Sequence, residues 1–157
     1  MDQVTGGQRH RLVGGEQAPA GVSRSHPAGP VVATWRRVSS RWCVRRVEGT
    51  DMPVLHDWRL RECDYGDGNG MPAAELYRSR AQRIDQPYPG GESWRQAVDR
   101  VGRFLVDLPL RWSDTRILVT GHVATRWAFD HLIDGKPVEV LVEADFGWRE
   151  GWEYRLG

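Results

Sequence analysis

Residues 116–132, RILVTGHVATRWAFDHL, decide the fold. Residues 117–120 form a short apolar run that predicts a buried strand, and residues 124–133 predict a helix that the turn sequence DGKP ends. Ligands bind where the strands of an open α/β sheet end, and the free N–H groups at a helix start favour an anion such as phosphate. His122, between the strand and the helix, is either a ligand-binding residue or a structural histidine in a tight turn. This stretch alone leaves both interpretations open.

A longer helix is predicted within residues 92–108, ESWRQAVDRVGRFLVDL. Its apolar side chains recur at helical spacing and form one stripe. Ser93 and Gln96 fit a capping box, which satisfies the first free N–H groups of a helix, and PYPGG at 87–91 excludes a helix before it. Alternating strands and helices indicate a layered α/β domain. The other predicted elements are a helix at 73–82 and strands at 138–142 and 147–156.

The composition fits one ordinary domain of 157 residues, 39% of them hydrophobic. No apolar run is long enough for a transmembrane helix, and the first residues lack the apolar segment of a signal peptide, so we expect a soluble, cytoplasmic protein. Neither the two cysteines, Cys43 and Cys63, nor the five histidines have the spacing of a metal site. We therefore expect neither a metal ion nor another cofactor.

The first 50 residues differ from the rest of the chain. They hold eight Arg against three Asp or Glu, a net charge of +5, whereas residues 51–157 hold fourteen Lys or Arg against eighteen Asp or Glu, a net charge of −4. Turn-forming residues dominate positions 5–30, without a sustained period. This pattern predicts that residues 1–50 are irregular or disordered and that residues 51–157 form the α/β domain.

Glu62 is a second candidate for chemistry. It lies in DWRLRECDYGDGNGMP, residues 57–72, next to tight glycine turns. A carboxylic acid near a phosphate site can protonate a departing alkoxide. A solvated surface carboxylate is the alternative interpretation of the same residue.

Three separated stretches together resemble the histidine phosphatase superfamily, which includes the phosphoglycerate mutase-like proteins. They are RLRECDYGDGNG at 59–70, PYPGGESWRQAVDRVGRFL at 87–105 and ILVTGH at 117–122, in the family's order and spacing. The end of the chain, FGWREGWEYRL, is similar to a small bacterial branch. The resemblance covers about residues 51–157. It implies a three-layer α/β/α sandwich of the phosphoglycerate mutase-like type, incomplete at its N-terminal strand.

The resemblance also implies an activity: phosphomonoester hydrolysis or phosphoryl transfer through a phosphohistidine, on a small phosphorylated substrate. His122 would be the second catalytic histidine, which stabilises the charge of the transferring phosphoryl group. Glu62 would be the general acid that protonates the leaving group and then activates water. The segment Gly90, Gly91, Glu92 and Ser93 would line the pocket rim and bind substrate.

The family's nucleophile is the histidine of an Arg-His-Gly motif at the end of the first strand. This chain has Arg9 and His10, but the residues before them do not predict a buried strand, and Arg11 stands where glycine is expected. His10 is therefore not expected to be the nucleophile, which stays unknown. As written, the chain is predicted to have little or no activity.

Three alternatives remain open. Residues 1–50 could be read out of frame, because shifting the frame over TWRRVSSRWCV, residues 34–44, yields an apolar strand of the kind the family has there. The chain could be a pseudoenzyme that binds phosphorylated ligands without turnover. The Arg- and Trp-rich segment 35–46 could instead bind nucleic acid, although runs of charge are usually solvated.

Overall fold

A computed structural model describes residues 10–14, 31–34, 54–112, 115–145, 147, 149 and 151–156. The described residues form both strands and helices, and four of the five strands run parallel, so the fold class is α/β, as predicted. In chain order the elements are β1 (His10–Gly14), β2 (Val31–Thr34), β3 (Val54–Asp57), α1 (Ala73–Ser79), α2 (Trp94–Arg111), β4 (Arg116–Thr120), α3 (Val123–Leu132), α4 (Val138–Glu143) and β5 (Trp152–Leu156). Short 3-10 turns lie at Trp58–Leu60, Gly66–Gly68 and Arg80–Arg83.

The five strands form one sheet in the order β3-β2-β4-β1-β5. β1, β2, β3 and β4 run parallel, and β5 runs antiparallel to β1. The carboxyl ends of the parallel strands therefore meet at one edge of the sheet. β4 ends there at Thr120, two residues before His122.

The N-terminal segment differs from the sequence prediction. Two parts of residues 1–50 are strands, and β1 pairs with neighbours on both sides, Leu12 lying opposite Ile117 and Tyr154. Residues 10–14 therefore occupy a place in the sheet between β4 and β5. The run Leu12–Val13 is too short and too closely flanked by glycine to be recognised from its period, and its position is fixed by neighbours more than 100 residues away. The remainder of the segment, including residues 35–46, lies outside the described residues, and the reading of residues 1–50 out of frame stays a prediction.

α2 and α3 pack against each other and form much of the core. The predicted capping box is confirmed, because the Gln96 N–H donates to Ser93 Oγ at 3.1 Å and the Ser93 N–H donates to Gln96 Oε1 at 2.9 Å. The Trp94 and Trp127 rings join the two helices, with centroids 4.6 Å apart. The apolar stripe of α2 is buried, and it consists of Trp94, Ala97, Val98, Val101, Phe104, Leu105 and Leu108.

Two predicted strands are wrong in whole or in part. Residues 138–142 lie in α4, where Val138, Leu141 and Val142 are buried at the i, i+3, i+4 spacing of a helix face. The β-branched residues suggested a strand, but burial of this face against the core outweighs their weak intrinsic preference. In the predicted strand 147–156, the strand that the described residues form is Trp152–Leu156. The predicted helix 73–82 is α1 followed by the 3-10 turn Arg80–Arg83.

Candidate active site

The connection from β4 to α3 brings His122 to the carboxyl edge of the sheet. His122 is the N-cap residue of α3, with extended backbone. Gly121 allows this tight passage, because a Cβ there would lie 2.6 Å from Thr125 Oγ1. Thr125 is itself fixed, since its hydroxyl donates to the Leu60 carbonyl at 2.9 Å in the interior. The start of α3 is thereby tied to the segment that leads to Glu62.

The Glu62 carboxylate faces His122 across this junction. Its Oε1 accepts hydrogen bonds from the Cys63 N–H at 2.8 Å and from the Ala124 N–H, in the first turn of α3, at 3.2 Å. Its Oε2 lies 3.7 Å from His122 Nδ1. Both side chains are largely buried but reach solvent, with 15% of Glu62 and 21% of His122 exposed. The structure thus brings together two predicted catalytic residues that are 60 positions apart.

The surroundings of Glu62 favour its neutral form. Burial raises the pKa of the carboxyl, and the N–H groups of Cys63 and Ala124 and the charges of Arg80 and Arg100 oppose that rise without cancelling it. Because Oε1 already accepts two N–H groups, the proton of the neutral acid belongs on Oε2, the oxygen that faces His122. This is the arrangement that a proton donor needs.

A buried ion pair fixes the backbone around Glu62. The Arg100 guanidinium donates to the carbonyls of Arg59, Arg61 and Glu62, at 2.5, 3.2 and 3.3 Å. It also forms a two-pronged pair with Glu92, through Nε at 3.0 Å and Nη2 at 2.8 Å. Only 2% of the Arg100 side chain is exposed. Its five donors are therefore used to position the segment that carries the acid.

The four residues predicted to bind substrate have contacts within the protein. Glu92 pairs with Arg61 and Arg100 and accepts from the Asp64 N–H, and Ser93 is buried as the N-cap of α2. A Cβ on Gly91 would lie 2.2 Å from the Asp64 carbonyl oxygen, so glycine lets the two backbones touch. Gly90 has a positive φ of 68° and is exposed. These contacts shape the loop, and substrate binding by Gly90, Gly91, Glu92 and Ser93 stays a prediction.

The register of β1 separates His10 from this site. His10 begins β1, at the amino end of a strand whose carboxyl end is Gly14. Val13 pairs with Leu118, two residues before the end of β4, so it is Gly14 that lies near the edge carrying His122. At about 3.3 Å per residue, His10 lies about 13 Å farther along the strand. The sequence continues with Gly15 and Glu16, which lie outside the described residues.

Sequence reasoning missed three residues around the site. Arg80, Arg100 and Thr125 have side chains that contact or influence the Glu62 segment. Arg100 lies inside the predicted helix 92–108. A charged residue among the apolar residues of its stripe was the available sequence signal. His56 is exposed in β3 and lines a small separate cavity with Asp57, Arg59 and Asp107.

In the part of the chain that the structure describes, no group of three or more His, Cys, Asp or Glu side chains is arranged to hold a metal ion. None of the helices in the same ranges combines the length and apolarity that crossing a membrane requires.

Comparison with known proteins identifies the family. Residues 43–147, about two thirds of the chain, match the histidine phosphatase superfamily (branch 1). A 2,3-bisphosphoglycerate-dependent phosphoglycerate mutase from Methylobacterium sp. (strain 4-46) is 31% identical over 102 residues, which cover 58% of this chain and 49% of that protein. The chain therefore spans about half the length of this curated relative.

Solved structures show the same fold. Mycobacterial glucosyl-3-phosphoglycerate phosphatase is similar with a TM-score of 0.62 and 17% identity, over 86% of this chain and 83% of that one. The alpha-ribazole phosphatase from Shigella flexneri gives a TM-score of 0.59 and 19% identity, over 85% and 83%. The fold is thus the predicted three-layer sandwich of the phosphoglycerate mutase-like type. With the family match and the motifs around Glu62 and His122, it establishes that the chain belongs to the histidine phosphatase superfamily (branch 1).

Proposed function

We propose that this chain binds a small phosphorylated molecule between His122 and Glu62, at a site built for phosphoryl transfer. The observation that carries the proposal is the 3.7 Å approach of Glu62 Oε2 to His122 Nδ1 at the carboxyl edge of the sheet. Family membership supports a phosphatase- or mutase-like function.

Glu62 supplies the proton in this proposal. Burial raises its pKa, so the neutral acid persists to higher pH than in a solvated glutamate. In the reaction that the family resemblance implies, the phosphoryl group passes from the ester oxygen to a nucleophilic histidine, and Glu62 gives its proton to the leaving oxygen as the P–O bond breaks. Water then attacks phosphorus and breaks the P–N bond, and the Glu62 carboxylate takes the proton of that water.

His122 supplies hydrogen bonding to the phosphoryl group. Its place as N-cap of the ten-residue α3 adds the partial positive charge of a helix start. Both groups are fixed before a ligand arrives, because Thr125 anchors the helix start to the Leu60 carbonyl. A fixed positive environment stabilises the charge that develops on the transferring group.

The same geometry supports a second candidate function, a phosphate-binding pseudoenzyme. The end of β1 is Gly14, and His10 begins the strand at its far end. A glycine offers no nucleophile, so the described residues place no histidine at the carboxyl end of β1 that could form a phosphohistidine. We therefore infer that turnover is weak or absent, while binding of the phosphoryl group persists.

Hydrolysis of para-nitrophenyl phosphate, measured beside binding of inorganic phosphate, separates these functions. The proposal predicts measurable phosphate binding that His122→Ala abolishes, with little or no release of nitrophenol. His56→Ala, which removes an exposed histidine outside the site, is the matched control and should leave binding unchanged. Rapid hydrolysis that His10→Ala abolishes would contradict the proposed absence of a nucleophile. Absence of phosphate binding by the unmodified protein would contradict the proposed site itself.

A further inference from the structure

Arg80 is a buried cation with an unusual environment. It opens the 3-10 turn after α1 and is only 8% exposed. Its guanidinium carbon lies 3.7 Å from the centre of the Tyr77 ring and 5.0 Å from that of Trp127. Contacts with two aromatic rings restrict the position of the guanidinium and stabilise its charge.

The Arg80 guanidinium has no carboxylate partner within ion-pair distance among the described residues. Its Nε is buried and makes no hydrogen bond to any of the described residues. Other arginines of the domain behave differently, since Arg59, Arg61, Arg95 and Arg100 each contact a carboxylate. Burying a guanidinium costs free energy unless it is paired and hydrogen-bonded, and the faces of the two rings, over which it lies, carry no acceptor oxygen. An anionic ligand would supply the negative charge and the hydrogen-bond acceptor that the described residues do not.

The position of Arg80 connects it to the candidate site. Trp127 lies on α3, five residues after His122, in the helix whose Ala124 N–H binds the Glu62 carboxylate. The Arg80 charge also opposes the effect of burial on the pKa of Glu62, so the guanidinium lies within electrostatic range of the acid. Its charge therefore adds to the positive potential around His122.

We propose that Arg80 is the anion-binding residue of the candidate site and contacts an oxyanion of the phosphorylated ligand. This inference rests on the proposed function, since it needs a phosphorylated ligand beside His122 and Glu62. The oxyanion belongs either to the phosphoryl group or to a second acidic group on the same ligand. A planar guanidinium suits both, because it can donate two parallel hydrogen bonds to a phosphate or to a carboxylate.

The test measures calorimetric binding of three probes: inorganic phosphate, ethyl phosphate and phosphoglycolate, which carries a carboxylate beside its phosphate. Arg80→Met keeps an apolar chain between Tyr77 and Trp127 and should weaken binding about 10- to 100-fold, the range for hydrogen bonds to a charged group. Arg80→Lys keeps the charge without the planar fork and should give an intermediate loss. Arg95→Met removes an exposed arginine paired with Asp85 and Glu139, and it should bind as the unmodified protein does.

The pattern of losses identifies the contacted group. Equal weakening of all three probes by Arg80→Met places Arg80 on the phosphoryl group, and weakening of phosphoglycolate alone places it on the second acidic group. Both results support the proposal. Unchanged binding of every probe by a folded Arg80→Met protein, with binding lost in His122→Ala, would overturn the role of Arg80 and leave the proposed function intact. If the unmodified protein binds none of the probes, both fail.

Discussion

At the scale of single residues, the raised pKa of Glu62 links the protonation of its carboxyl group to the stability of the fold. Its pKa is raised above the ordinary value of 4.5, so the folded chain keeps this proton at pH values where the unfolded chain has lost it. The stabilisation linked to that proton is complete below about pH 4.5 and is lost as the pH rises through the folded-state pKa. Ionisation of Glu62 therefore lowers the free energy of unfolding as the pH rises.

Glu62→Gln should for this reason gain stability relative to the unmodified protein as the pH rises. Glutamine keeps an acceptor oxygen for the Cys63 and Ala124 N–H groups and cannot ionise. Urea unfolding of both proteins between pH 4 and pH 8 measures the difference in free energy of unfolding, and Glu75→Gln at an exposed position controls for the lost carboxylate. A difference that stays constant or shrinks with rising pH would contradict this account of Glu62.

Arg100 is a second single residue with a large expected effect, because its guanidinium fixes the backbone of the segment that carries Glu62. Arg100→Met leaves Glu92 largely buried without its two-pronged partner and should cost about 3–5 kcal/mol of unfolding free energy. Arg95→Met removes only an exposed pair and should cost less than about 1 kcal/mol. Chemical denaturation of both variants tests this contrast. Equal losses in the two proteins would show that the Arg100 pair does not organise the site.

The sequence predicts His122 and Glu62 as site residues, and it could not predict the residues that contact and position them. A histidine between a strand and a helix, or an acid beside glycine turns, is a local pattern. The role of Arg100 depends on carbonyl groups about 40 positions away, and that of Arg80 depends on Trp127 in a distant helix. Such contacts leave little trace in residue spacing.

At the scale of elements, the junction of β4 and α3 depends on the missing side chain of Gly121. Gly121→Ala places a Cβ 2.6–2.8 Å from three Thr125 side-chain atoms, and Thr125 cannot withdraw without losing its bond to the Leu60 carbonyl. We expect a loss of about 1–3 kcal/mol of unfolding free energy and a matching loss of phosphate binding.

Gly102→Ala is the matched comparison for that variant. Gly102 lies inside α2, where alanine favours the helix by about 1 kcal/mol, and the added Cβ meets only the end of the half-exposed Leu132 side chain at 3.3 Å. Thermal unfolding should show Gly102→Ala to be neutral or stabilising. If Gly121→Ala unfolded at the same temperature as Gly102→Ala, the proposed close packing at the site would be wrong.

The elements themselves could be predicted to different degrees. α2, α3 and β4 are long or sharply bounded, so their periods and caps were sufficient. α4 was predicted as a strand because three valines dominate its six residues, whereas burial of Val138, Leu141 and Val142 decides for a helix. β1 was missed because its pairing partners, Ile117 and Tyr154, lie far along the chain.

At the scale of the whole molecule, β1 is the strand by which residues 10–14 join the sheet. It lies between β4 and β5, so its backbone is paired on both sides. Leu12→Pro removes one ladder N–H from this central strand and should cost at least about 1–3 kcal/mol of unfolding free energy. Leu12→Val keeps the N–H and serves as the control. If Leu12→Pro were as stable as Leu12→Val in thermal unfolding, residues 10–14 would not contribute to the sheet.

The central claim is that the phosphoryl group binds beside His122, and nuclear magnetic resonance of labelled histidine rings tests it most directly. Inorganic phosphate is titrated into the protein, and the His122 signals are assigned by their absence in His122→Gln. We predict that the His122 signals shift in a saturable manner, while those of His56 and His131 change little. Histidine signals that all shift together, or a His122 signal that does not move, would contradict a phosphate site at the junction of β4 and α3.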